Sequence, residues 1–196
     1  MKKLVMVLAF IPLLGWSQVK SGVTYSEHPA YDVVKETYRI WESGTEAELR
    51  VLYAEEAKIW GPGEDEAGSV DDVVTNMLWW QENFSDIKIT VMEGATPDII
   101  KYKDDKKGAW AMDWMVFSAV NKTSGLVVKA NMHSNYYVTN QGKITTTINY
   151  YDRESAGAQI QASLGMHRNG RVYDEHPIIN KLNEMVAHFE AGEISE

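Results

Sequence analysis

The stretch NQGKITTTINYYD, residues 140–152, decides how the rest of the chain is read. Asn140, Gln141 and Gly142 form a turn signal, and the residues after it are mostly β-branched or aromatic, so 144–151 reads as a strand paired with whatever precedes the turn. Working back toward the N-terminus, period-2 patterning marks further strands at 127–139, 110–120, 99–103 and 87–92, separated by the turn sequences NKTSG and DDKKG. Before residue 87 the period changes to 3.6. Val34, Tyr38 and Trp41 recur at helical spacing from Pro29 to about Ser43, with Pro29 in the first turn and Gly44 placed to end the helix. A second helix fits 46–53. After the turn-rich loop WGPGEDEAG, residues 60–68, Ser69 and Asp72 make a cap for a third helix that ends near Phe84. Helices followed by hairpin-connected strands give an α+β class: one curved antiparallel sheet wrapped around N-terminal helices, with a cavity between the two layers.

Composition narrows the function classes. The 196 residues are 44% hydrophobic and 24% charged, and the formal charge is −9, a balance that repels phosphate backbones and argues against nucleic acid as a partner. There is no cysteine, which rules out disulfides, thiolate metal sites, a cysteine nucleophile and a lipidated cysteine anchor. The five histidines show no metal-binding spacing, and no glycine-rich phosphate loop appears, so no metal and no cofactor is expected. Residues 1–17, MKKLVMVLAFIPLLGWS, read as a signal peptide: Lys2 and Lys3 precede an apolar run, and Gly15 and Ser17 stand at −3 and −1 of a cleavage point. Its removal takes the charge to −11, because two lysines and no acids leave with it. The expected location is exported, periplasmic or secreted, and soluble with no membrane anchor.

Helix, helix, WGPG loop, helix and then long strands ending in Gly142, Lys143, Ile144, Tyr150 and Asp152 resemble the SnoaL-like branch of the nuclear transport factor 2-like superfamily over about residues 22–154. The resemblance implies a cone-shaped domain with a ligand cavity. In hydrolase and cyclase branches it implies a catalytic carboxylate at the position of Asn149 and a histidine at that of Asn135. Both are amides here and cannot exchange protons near neutral pH, which favours binding or a dimerising scaffold over inherited acid–base chemistry.

By the family pattern, the cavity wall carries Asn131, His133, Asn135 and Tyr137 from one strand and Thr145, Thr147, Asn149 and Tyr151 from the next. Asp113 stands alone as an acid in the apolar strand AWAMDWMVF. Facing the cavity beside His133, it makes an acid–base pair and the alternative is an isomerase, cyclase or hydrolase; facing out, it is a solvated or hydrogen-bonded surface acid. The opposite set, Val128, Met132, Tyr136, Val138, Ile144, Ile148 and Tyr150, is assigned to the outer face, although periodicity alone makes it the core. An outer face that apolar implies a homodimer through the sheet. His28 and His176, each beside a proline, read as helix caps, the run GEDEAG as a solvated loop or a weak calcium site, and the tryptophans mainly as core.

After a linker at 155–172, residues 173–196 repeat the start of the domain. YDEHPIINKLNEMVAHFEAGEISE matches residues 25–48 at eight of 24 positions with a constant offset of 148. The expectation is the first helix of a second, tandem copy, able to form a pseudo-dimer with the first domain. The competing expectation is a terminal helix that docks on that domain.

Overall fold

The structure, a computed structural model, describes residues 20–165 and 177–192. The signal-peptide segment 1–17, His167, His176 and residues 173–175 and 193–196 of the repeat lie outside them. The chain divides into two units, residues 1–164 and 165–196. In the second, residues Pro177–Glu190 form a helix.

The first unit begins with a short strand, β1 (Gly22–Tyr25), followed by α1 (Pro29–Ser43), α2 (Glu46–Leu52), β2 (Tyr53–Trp60) and α3 (Val70–Asn83). Then come β3 (Phe84–Val91), β4 (Asp98–Tyr102), β5 (Gly108–Asn121), β6 (Val127–Thr139), β7 (Ile144–Tyr151) and α4 (Arg153–Ser163). Local chemistry sets the helix ends. His28 Nδ1 accepts the Ala30 N–H at 3.1 Å, so this histidine caps α1. Thr45 with Glu48 and Ser69 with Asp72 form reciprocal capping boxes at α2 and α3.

Seven strands form one sheet in the order β1-β4-β5-β6-β7-β2, with β3 also on β5. The long β5 is shared along one edge: its first half pairs with β4 and its second half with β3. This split, together with irregular register in β3, β6/β7 and β2, bends the sheet around the helices. Sequence patterning misses β1 and β2. β2 runs parallel to β7 and carries the charged residues Glu55, Glu56 and Lys58, which hide its alternation. It also misses α4, which occupies the first part of the expected linker. Asp152 accepts the Ser155 N–H at 3.0 Å to start it, and Gln159 bonds both backbone groups of Lys129, standing where a longer β7 would have paired.

Two apolar clusters fill the concave side. The larger joins Val34, Tyr38 and Ile40 of α1 and Met77 of α3 to Ala111, Met115, Tyr136 and Val138 of the sheet. The smaller gathers Phe84, Ile87, Phe117 and Val128, with Trp79, Trp80 and Ile160 packed against it.

Candidate binding site

A cavity of about 660 Å³ lies on the concave side, lined by members of both clusters. That volume falls within the ~300–1,000 Å³ of small-molecule sites. Its apolar wall is aromatic. Trp79 and Trp80 meet edge to face with ring centroids 5.3 Å apart, and Trp80 lies 4.7 Å from Phe117. Trp41, Tyr38, Tyr53 and Tyr136 add to the lining, and Ala156 and Ile160 of α4 complete it. The loop 61–68 contributes Gly61, Glu64, Glu66, Ala67 and Gly68, so the acidic run read as solvated is exposed but also rims a cavity.

Which side chains face this space follows from register. β5 pairs with β6, and β6 with β7, so that Asp113, Ser134 and Asn149 form one rung pointing inward; Ala111, Tyr136 and Thr147 form the next. The alternate rungs, Trp114–His133–Tyr150 and Met112–Asn135–Ile148, point outward. On β7 the expected Thr147, Asn149 and Tyr151 do line the cavity. On β6 the expected face is reversed: Val128, Met132, Ser134 and Tyr136 line the cavity, while Asn131, His133, Asn135 and Tyr137 lie on the other side of the sheet.

The cause is one residue. Val138 pairs with Ile144, but the next pair is Tyr137 with Thr146, which leaves Thr145 as a bulge without a partner on β6. An unbulged hairpin keeps residues 131, 133 and 135 on the face of 147 and 149; the extra residue inverts that parity.

Asp113 is fully buried on the inner face of the sheet rather than on the outer surface, and it is not itself among the lining residues. Its Oδ2 accepts hydrogen bonds from the hydroxyls of Tyr31 (2.6 Å) and Tyr38 (3.1 Å), and Tyr38 in turn lines the cavity. Its Oδ1 has no hydrogen-bond partner among the described residues. Burial pushes the Asp113 carboxyl up from its ordinary value, against the opposing pull of the Tyr31 and Tyr38 hydroxyls, the Trp114 backbone and the charge of His133. The same burial raises Tyr31, Tyr38 and Tyr136, with the nearby Asp113 acting in the same direction, and holds Tyr53 up at about 12. On the cavity floor, Ser134 Oγ donates to Asn149 Oδ1 at 2.7 Å. Thr147, 3% exposed, has a hydroxyl without a partner among the described residues.

The expected Asp113–His133 pair is therefore not assembled on one face. His133 sits between Trp114 and Tyr150, with ring centroids at 4.2 and 6.2 Å. Tyr137 donates to Asp105 at 2.6 Å on the outer side, and burial holds its own hydroxyl up at about 12. What sequence reasoning misses is the tyrosine set, Tyr31, Tyr38, Tyr53 and Tyr136, because each stands on an apolar stripe and reads as core. The available signal is Tyr31 and Tyr38 seven apart on one helix, opposite a strand with a single acid.

Among the described residues there is no group of three or more acids or histidines placed to hold a metal ion, and no helix long and apolar enough to cross a membrane. No protein-family model and no curated protein sequence matches the chain. Solved structures do. A putative polyketide cyclase from Streptomyces antibioticus aligns at 20% identity and a TM-score of 0.53, covering 68% of this chain and 99% of its own. The BvnE pinacolase from Penicillium brevicompactum aligns at 12% identity and 0.57, covering 70% and 96%. A ketosteroid isomerase-like protein from Catenulispora acidiphila, solved in complex with trimethylamine, aligns at 13% and 0.50, covering 65% and 91%. With helices α1 to α3 held in a curved, unclosed seven-stranded sheet, the chain has an α+β cone fold of the nuclear transport factor 2-like kind, like these structures.

Proposed function

We propose that this is an exported domain that holds a small, partly apolar molecule in the cavity between its sheet and its helices. The observation that carries the reading is the cavity itself: about 660 Å³, aromatic along its walls, ending on buried hydroxyl and amide groups of which Thr147 Oγ1 lacks a partner among the described residues. A buried polar atom left unpaired is costly, and a ligand group that pairs with it recovers that cost. The polar floor orients a ligand, and the indole and phenyl rings supply contact area. Residues 1–17 support export. The outer rung Trp114–His133–Tyr150, with Trp114 and Tyr150 about half exposed, supports a homodimer through that face. Native mass spectrometry of protein purified from its own host tests all of this together: the expected spectrum shows a dimer carrying a bound small molecule, and an empty monomer would refute both parts.

A second reading, an enzyme, is favoured by Asp113. Tyr38 both bonds this buried carboxyl and lines the cavity, so a protonated Asp113 that donates to Tyr38 leaves the tyrosine proton for an oxygen of the bound molecule. Some neighbours of this fold are named as a cyclase and a pinacolase, which agrees with this reading. The recovered molecule, returned to the protein, is then converted by the parent and left unchanged by Asp113→Asn.

A further inference from the structure

Every charged side chain among the described residues that line the cavity is an acid. Glu64 and Glu66 come from the loop after β2, and Asp72 from the first turn of α3. No lysine, arginine or histidine is among those lining residues. Arg153 is nearby, but its guanidinium donates to the Pro62 carbonyl at 3.4 Å and is not part of the lining. No ion pair within 4.0 Å forms at Glu64, Glu66 or Asp72 among the described residues. Ser69 holds Asp72 below its ordinary carboxylate range through its backbone N–H and hydroxyl. Glu64 uses one oxygen to accept the Gly61 N–H at 2.7 Å, which orients the carboxylate without neutralising it.

Behind this rim stand Trp41, Trp79 and Trp80, rings whose faces attract cations. A cleft lined by one sign of charge over low-dielectric walls focuses its field on ligands of the opposite sign. Thr147, only 3% exposed and paired with Ile59 just before the loop, presents an unpartnered hydroxyl to the same cavity. No cationic side chain in the described lining pairs with a carboxylate or phosphate, and the rim repels both.

We infer that the ligand is an organic cation, an amine or quaternary ammonium with an apolar body and one neutral hydrogen-bonding group. The ammonium sits at the Glu64–Glu66 rim, the body lies on Trp79 and Trp80, and the neutral group meets Thr147. This rests on the proposal that the cavity is a ligand site, and the two are separable by experiment.

The test is a tryptophan-fluorescence titration of the full chain with three probes of one length: 2-phenylethyl-trimethylammonium, its neutral isostere with carbon in place of nitrogen, and 4-phenylbutanoate. The expected result is the ammonium binding about tenfold more tightly than its isostere, roughly the effect of one partly shielded charge pair. That advantage shrinks as salt rises and in Glu64→Gln/Glu66→Gln, where each glutamine keeps an acceptor oxygen. Equal affinity for ammonium and isostere, or tightest binding of the carboxylate, overturns the inference while leaving the cavity a site. No response to any probe overturns the cavity reading as well. Should the double variant fold poorly, the salt series on the unsubstituted chain still separates a charge-driven preference from a shape-driven one.

Discussion

The two faces of the β5–β6–β7 sheet invert what composition leads one to expect. The inner rung Asp113–Ser134–Asn149 is polar, with Asp113 and Ser134 fully buried; the outer rung Trp114–His133–Tyr150 is aromatic, with Trp114 51% and Tyr150 54% exposed. Buried polar groups persist where they satisfy one another, as Ser134 does with Asn149 and Asp113 does with two tyrosines. Exposed aromatics persist where a surface has something to meet. Residue type alone therefore does not tell inside from outside here; register does, and register hangs on Thr145.

The largest effect should come from giving that residue a partner. Inserting one residue between Tyr137 and Val138, opposite Thr145, makes the pairing regular and forces Ser134, Tyr136, Thr147 and Asn149 to turn outward or the hairpin to break, so the chain should lose cooperative unfolding, a cost above about 4 kcal/mol. Circular dichroism and urea titration read the outcome. An insertion variant that unfolds like the parent would mean that the Thr145 bulge does not set the parity.

Next in size is a matched pair of truncations. Phe117→Ala, on the inner face in the smaller cluster, should cost about 3–5 kcal/mol. Trp114→Ala removes a larger side chain, yet should cost less than about 1 kcal/mol in the isolated subunit, because half of the indole is already in water. If the outer face pairs two copies, sedimentation velocity should show Trp114→Ala shifting the chain toward monomer at unchanged fold. Equal thermal losses from both variants would erase the distinction between the faces.

The same contrast between faces marks what is legible in the chain. α1, α2, α3 and the five strands from β3 to β7 follow directly from period, caps and turns, because each carries its own apolar pattern. The α+β class follows from their order. β2 hides behind charged residues, and α4 behind RESAGAQIQAS, where Gly157 and scattered polar groups leave no stripe to read. Asp113, Thr147, Asn149 and Tyr151 are readable as candidates since they stand out on β5 and β7. Asn131, His133, Asn135 and Tyr137 come out on the wrong side because a bulge has no strong signature among three consecutive threonines, Thr145, Thr146 and Thr147. Apolar periodicity on β6 points the right way: Val128, Met132, Tyr136 and Val138 are on the inside.

A smaller effect concerns the buried acid. The folded state raises the Asp113 carboxyl above its unfolded value, so between those values the native chain holds a proton that the unfolded chain has lost. Stability from this group is therefore present in the acid range and lost as pH rises through the folded value. Asp113→Asn removes the titration, and its stability relative to the parent should improve on going from pH 4 to pH 8, by on the order of 1 kcal/mol. Urea unfolding of both proteins at the two values measures it, and a relative stability that falls with pH would show that Asp113 is stabilised in its charged form.

The finest test asks how far the two faces communicate. Tyr31 and Tyr38 stabilise the Asp113 carboxylate by direct hydrogen bonds, whereas His133 acts on it only by its charge from the other side of the sheet. Removing any of these stabilisers must raise the pH at which Asp113 titrates, since each favours the charged form. A direct bond counts for more than a charge across a sheet. Carbon NMR of the Asp113 carboxyl should therefore move furthest upward in Tyr31→Phe, less in Tyr38→Phe, whose hydrogen bond is longer at 3.1 Å, and least in His133→Gln. Were His133→Gln to produce the largest change, the sheet would not be insulating its faces, and an acid–base pair would operate through it after all.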